Sequence, residues 1–138
     1  MALLIEFLSQ QWILAVALVV CLVLLMQHES RKGGQLLSSQ QLINKVNQDQ
    51  AVVLDLRDAA DFDRGHVVDA VNIPAAKLAD RLQELESYRD RPIILVCKMG
   101  QHSGAAGKTL GQNGFADVAR LRGGMSEWES SQLPLVRG

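Results

Sequence analysis

Residues 93–103 read Ile93-Ile94-Leu95-Val96-Cys97-Lys98-Met99-Gly100-Gln101-His102-Ser103. The unbroken apolar run, opened by Pro92 and rich in β-branched side chains, is the composition of a strand buried on both faces. A polar loop with Gly100 at its middle follows. A helix of small residues then runs from Ser103 to about Gln112, closed by Asn113-Gly114 as a C-terminal stop. Cys97 therefore stands where a buried strand ends and a helix is about to begin. In open α/β sheets that is the crevice position at which ligands bind.

Working outward, three more apolar segments read as strands: Ala51-Val52-Val53-Leu54, Val71-Asn72-Ile73 ahead of Pro74, and Val118-Ala119-Arg120-Leu121. Between them lie helical patterns. Ser38 or Ser39 can cap a helix whose Leu42, Ile43 and Val46 share one face. Leu78, Leu82 and Leu85 mark another helix, and Met125 to about Ser130 a last one. Strands alternating with helices predict an α/β fold with a parallel sheet covered on both sides. No internal repeat or low-complexity segment is visible.

The chain has 138 residues, room for one modest domain and little more. Residues Trp12 to Met26 are apolar without interruption, whereas the rest mixes charge and hydrophobes as soluble domains do. Of 14 basic and 15 acidic side chains only Glu6 precedes position 27, so the remainder is balanced in charge. That balance, with no basic block, argues against a nucleic-acid partner. Cys21 and Cys97 fall in the two different regions, so no disulfide framework is implied and a reducing environment is expected.

The run from Trp12 to Met26 rises about 22 Å as a helix, short of the roughly 30 Å hydrocarbon core. Extending it back to Phe7 supplies the missing length and sets Trp12 near an interface. A cleaved signal peptide would need a positive leader, and no Lys or Arg precedes Trp12. A lipoprotein signal would need a small residue where Val20 precedes Cys21. A helix apolar on every face would need a larger protein around it to be a core helix. Residues 7–26 are thus expected to meet the lipid bilayer as one transmembrane helix.

The loop after Val96 carries the chemistry. Gly100 lets the backbone curl so that N–H groups converge on the sulfur as an anion nest. The helix N-terminus, Lys98 and His102 add positive potential. Together they favour the anionic sulfur, which is the nucleophile, and would hold a persulfide or an anionic donor. The plain alternative is a small buried residue at a strand end. Elsewhere the readings are structural. Asp55 and Arg57 either orient the loop or fix the sheet edge, and Arg57 with Asp58 or Asp61 forms an ion pair of small worth if exposed. His66, after Gly65 in a tight turn, bonds to backbone, and its neighbours Asp63 and Arg64 imply no metal site. Gly107-Lys108-Thr109 is no phosphate loop, because the required first glycine falls on His102 and the triplet lies within a helix. Met125 and Trp128 belong to the core.

Four stretches, taken in order, resemble the rhodanese family. The run Asp55-Leu56-Arg57-Asp58-Ala59-Ala60-Asp61-Phe62-Asp63-Arg64-Gly65-His66-Val67 is similar to D-x-R-x-x-x-E-[FY]-x-x-G-H-I, and Ala70 with Val71-Asn72-Ile73-Pro74 to its A-x-N-I-P continuation. Cys97 to Ser103 resembles the loop C-[RK]-x-G-x-R-S, and Leu121-Arg122-Gly123-Gly124 with Trp128 the closing L-x-G-G-x-x-x-W. The resemblance implies a five-stranded parallel sheet with helices on both faces. It implies a sulfurtransferase without a cofactor, in which Cys97 carries sulfane sulfur as a persulfide and Lys98, Met99, Gly100, Gln101, His102 and Ser103 bind the substrate. A small sulfur donor such as thiosulfate and a thiol or cyanide acceptor are the implied partners. The N-terminal helix resembles that of bacterial membrane-tethered members.

Three positions depart from the pattern. His102 stands where arginine is frequent, which weakens an oxyanion clamp and with it thiosulfate as donor. Val68-Asp69 replaces a usual Pro-Gly, and Asp61 a common Glu. A phosphatase use of the fold would need an arginine at position 103, which is Ser103. A non-catalytic module that recruits a membrane protein is the alternative from a different class.

The chain thus divides into residues 1–27, the transmembrane helix and its flanks; 28–35, a juxtamembrane linker; and 36–138, the rhodanese-like domain. Arg31 and Lys32 follow the span and no basic residue precedes it, which predicts a single-pass inner-membrane protein with its domain in the cytoplasm. Protease added outside intact spheroplasts should leave the domain uncut; digestion would overturn the orientation.

Overall fold

Ile93–Val96 (β4) lies in the middle of a five-stranded, all-parallel sheet in the computed structural model, which describes residues 1–31 and 34–137. The other strands are β1 (Gln35–Leu37), β2 (Val52–Asp55), β3 (Val71–Asn72) and β5 (Val118–Leu121), in the order β1-β5-β4-β2-β3. The register sets Leu54 beside Leu95 and Ile94 beside Ala119. Because strand side chains alternate between faces, β4 feeds two cores. Ile94 and Val96 pack with Leu42 of α3 (Ser39–Asp49) and with Met125 and Trp128 of α6 (Gly124–Ser130). Ile93 and Leu95 pack with Ala106 and Leu110 of α5 (Ser103–Gln112). All four β4 residues are completely buried. At about 1.5–3 kcal/mol for each fully buried aliphatic side chain, this strand anchors both layers.

The α3 helix begins in a capping box. Ser38 Oγ accepts the Gln41 N–H and Gln41 Oε1 accepts the Ser38 N–H, at 3.2 and 2.8 Å. The expected strands at 93–96 and 118–121 and the helix from Ser103 to Gln112 are all present.

Two readings of the soluble chain change, and one element goes unread. The expected linker 28–35 does not stay clear of the sheet, because Gln35–Leu37 form β1 and pair with Ala119–Leu121. Gly34, with φ +98°, packs so tightly on β5 that a Cβ would collide with the Val118 carbonyl, and its own carbonyl accepts from Arg120 Nε at 3.1 Å. This glycine is there for close approach rather than for freedom. The helix expected around Leu78, Leu82 and Leu85 is instead two 3₁₀ segments, Ala75–Lys77 and Leu82–Tyr88. Leu82, Leu85 and Tyr88 recur every three residues, and that row packs on the second core. Arg81–Glu84 and Arg89–Glu86 pair along its surface. In both pairs the arginine's hydrogen bond, and after it its charge, holds the glutamate carboxyl below its usual range. Finally, α4 (Ala59–Arg64) is a six-residue helix with no buried residue, so it has no apolar stripe to betray it.

Residues 1–31 form a separate unit of two helices, α1 (Ala2–Gln10) and α2 (Trp12–Arg31). They are bent by 81° at a break on Gln11, so residues 7–26 are not one straight helix. Among the described residues no single helix is long and apolar enough to cross a membrane, whereas the bent pair taken together has the length and composition for it. The α2 helix continues to Arg31, so the first residues of the expected 28–35 linker are helical, and its last, Gln35, belongs to β1. Lys32 and Gly33, in the expected basic flank and linker, lie outside the described residues, as does Gly138.

Leu37 is 2% exposed and is the residue by which β1 enters the core. Leu37→Ala should cost about 2–4 kcal/mol in urea unfolding of the full chain. Leu36→Ala, on the exposed side of the same strand, should cost less than about 1 kcal/mol.

Candidate functional site

The chain leaves the sheet at Val96, and the next residue is held from behind. The Met125 N–H donates to the Cys97 carbonyl at 2.7 Å and the Ser126 N–H to the Lys98 carbonyl at 2.9 Å. Ahead of the sulfur the loop turns through Gly100, at φ +93°, and the Gly100 N–H donates to Cys97 Sγ at 2.9 Å. An N–H aimed at sulfur favours negative charge on it. Gln101 Oε1 accepts the Met99 N–H at 3.0 Å and lies 3.9 Å from Sγ, within reach of a thiol proton. Ser103 Oγ donates to the Gly100 carbonyl at 3.0 Å, closing the loop onto the first turn of α5. Cys97 is 1% exposed, so the sulfur sits at the floor of whatever reaches it.

What reaches it is a cleft of about 560 Å³. Cys97, Lys98, Gln101 and His102 line it from the loop, Asp58 and Asp61 from the segment after β2, and Ala75, Ala76 and Ala79 from the segment after β3. Of the expected binding residues, Lys98, Gln101 and His102 reach the cleft. Met99 does not; its side chain is 63% exposed. Gly100 contributes its N–H and Ser103 is buried beneath the loop, so these two shape the site from inside it. Among the described residues no cluster of His, Cys, Asp and Glu could hold a metal ion.

The cleft's second wall starts from a buried ion pair. Arg57 Nη2 lies 2.8 Å from Asp55 Oδ2, and Arg57 Nε 3.0 Å from Asp55 Oδ1, with the side chains 7% and 0% exposed. Arg57 Nη2 also donates to the Gly65 carbonyl at 2.8 Å. The expected partner of Arg57 was Asp58 or Asp61, but Asp61 pairs at the surface with Arg64 at 3.4 Å. Two-residue spacing across a tight turn brings Asp55 to Arg57, and burial makes the pair matter. Removing one partner of such a pair typically costs about 3–5 kcal/mol. Asn72 Nδ2 donates to the Asp55 and Arg57 carbonyls, tying β3 to the same turn. His66 Nδ1 bonds to the Phe62 carbonyl at 2.8 Å and its ring stacks on Phe62, the backbone role expected of it.

The match to known proteins covers this whole arrangement: residues 38–131 fit the rhodanese-like domain. The chain belongs to that family. The uncharacterized protein YibN of Escherichia coli K12 is 38% identical over 94 residues, 67% of this chain and 66% of that protein's own length. The thiosulfate sulfurtransferase GlpE of Shewanella oneidensis is 34% identical over 95 residues, 69% of this chain and 92% of that one. A rhodanese-related protein of Thermoplasma volcanium superposes with a TM-score of 0.67 at 26% identity, covering 74% of this chain and 97% of that one. These likenesses support membership in a sulfurtransferase family and a rhodanese-like α/β fold with a five-stranded parallel sheet.

The rhodanese-like closing motif Gly123-Gly124 takes on a physical role in the structure. Gly124, at φ +60°, packs so closely that a Cβ would strike the Cys97 carbonyl and lie 2.9 Å from the Gly100 nitrogen. The glycine lets the start of α6 lie directly against the cysteine loop. Motif order alone does not reveal this, since the two segments are far apart in sequence.

Gly124→Ala should therefore lose about 1–3 kcal/mol of stability and slow alkylation of Cys97 by iodoacetamide. Gly111→Ala is the control, since a Cβ there meets nothing within 4 Å and the site is helical. It should be neutral or stabilising by about 0.5–1 kcal/mol, with the alkylation rate unchanged.

Proposed function

We propose that this domain moves sulfane sulfur from thiosulfate or another persulfide donor to a nucleophilic acceptor through a persulfide on Cys97. The observation that carries the reading is the Gly100 N–H on Cys97 Sγ at the floor of an open cleft. In the first half the Cys97 thiolate attacks the outer sulfur of the donor. The donor's S–S bond breaks as a new one forms on Cys97, and sulfite leaves when thiosulfate is the donor. In the second half the acceptor, a thiol or cyanide, attacks the outer sulfur and Cys97 departs as a thiolate. Each half is a displacement at sulfur, so no cofactor or metal is needed. Lys98 supplies positive charge at the cleft, with His102 lining it beside Lys98, and the Gly100 N–H holds the anionic sulfur in both states.

The same proposal places the apolar run of α2 in a lipid bilayer, with the domain on the cytoplasmic side of a bacterial inner membrane. Its support is composition. From Trp12 to Met26 the residues are apolar, and all but Ala15 are exposed in the structure. Groups that hydrophobic gain by leaving water. A membrane protein that receives or supplies the sulfur is compatible with this placement.

Incubation of the full chain with thiosulfate should add one sulfur atom to the protein mass, and cyanide should remove it as thiocyanate. Cys97→Ser should abolish the cycle with little change in stability, whereas Cys21→Ser should retain it. Sulfur loading that persists in Cys97→Ser would mean that another residue carries it, and no loading of the wild type by any donor would favour a non-catalytic module.

A further inference from the structure

Among the described residues two hydrogen-bonding groups reach Cys97 Sγ, and they are of opposite kinds. The Gly100 N–H donates to it at 2.9 Å, and Gln101 Oε1 stands 3.9 Å from it. The end of the Gln101 carboxamide that faces the sulfur is fixed by a third group. The Met99 N–H lies 3.0 Å from Oε1, and a backbone N–H can only donate, so its partner must be the oxygen. The loop thus turns a carbonyl oxygen toward the sulfur, and that oxygen can only accept. One donor and one acceptor are the complement of a thiol, which accepts through its lone pairs and offers one S–H. A thiolate has no hydrogen to offer, so the negative end of the carbonyl would face its charge. Arg57, Asp58, Asp61, Lys98 and His102 also line the cleft, but among the described residues no charged side chain bonds to Sγ.

We infer that Gln101 holds the hydrogen of the resting Cys97 thiol, so that the Gly100 N–H favours the anion while Gln101 opposes it until a donor arrives. A sulfur held as the thiol is the poorer nucleophile, which restrains reaction with electrophiles other than the donor. The inference rests on the sulfur-transfer reading for its consequence: the hydrogen must leave as the donor is attacked. With thiosulfate, the Cys97 S–H bond and the donor's S–S bond break, and an S–S bond forms on Cys97. The hydrogen departs on sulfite as hydrogen sulfite, a perthiolate remains on Cys97, and the total charge is unchanged.

The S–H stretch in the infrared reports this contact, because an acceptor on the hydrogen lowers its frequency. The measurement uses the full chain carrying Cys21→Ser, so that Cys97 supplies the band, and Cys97→Ser should remove it. Gln101→Met keeps the length of the side chain without the oxygen, and should raise the frequency. Gln101→Glu keeps an oxygen for the Met99 N–H and for the sulfur, and should leave the band at or below its original position. Alkylation by iodoacetamide near neutral pH should run roughly threefold faster in Gln101→Met, the size of one weak hydrogen bond, and no faster in Gln101→Glu. No S–H band from Cys97, a band that Gln101→Met leaves in place, or equal acceleration of both variants would overturn the inference. Failure of the sulfur-transfer reading looks different: Cys97 would take up no sulfur while its S–H band still answered to Gln101.

Discussion

Strand β4 has β5 on one side and β2 on the other, with helices over both faces, and everything around Cys97 depends on that double burial. Ile93 to Val96 spend every side chain on the two cores and their backbone on neighbouring strands. The chain reaches Cys97 with no freedom left upstream. A loop launched from so fixed a point can hold an N–H within 2.9 Å of a sulfur atom, which a loop between mobile elements could not do reliably.

The loop is then fixed from two further directions by unlike means. Behind it, the first turn of α6 donates N–H groups to the Cys97 and Lys98 carbonyls, and the missing side chain at Gly124 makes that approach possible. Beside it, the Asp55–Arg57 pair and Asn72 lock the exit of β2, which carries the opposite wall of the cleft. The pair costs desolvation to form, so its value lies less in net stability than in holding one arrangement of the turn. Packing sets the position of the sulfur, and polar bonds set the shape of the space before it.

The rhodanese-like match spans residues 38–131, which include the cysteine loop and four of the five strands beneath it. The side chains that line the cleft include two carboxylates and several alanines, beside Lys98 and His102. The fold therefore holds Cys97 in a fixed setting, and the segment after β2 supplies the opposite wall of the cleft before it.

Much of this was legible in the residues alone. The apolar runs at 51–54 and 93–96 marked strands because full burial leaves no other use for such composition, and Ser38 or Ser39 marked a helix start because capping is local chemistry. Cys97 stood out because a strand end, a glycine loop and a helix start follow one another directly in the chain. Features made of distant segments were not legible. Strand β1 is three residues long and exists by pairing with β5; the 3₁₀ row at 82–88 is told from an α-helix only by the surface it meets; α4 has no buried face at all. The bend at Gln11 divides a run whose composition reads as continuous. At the site, local sequence placed Lys98, Gly100 and His102 near the sulfur. Only tertiary packing brought Asp58, Asp61 and Gly124 to the same loop, turned Met99 outward and buried Ser103, because those outcomes depend on how separate elements stack and not on their order along the chain.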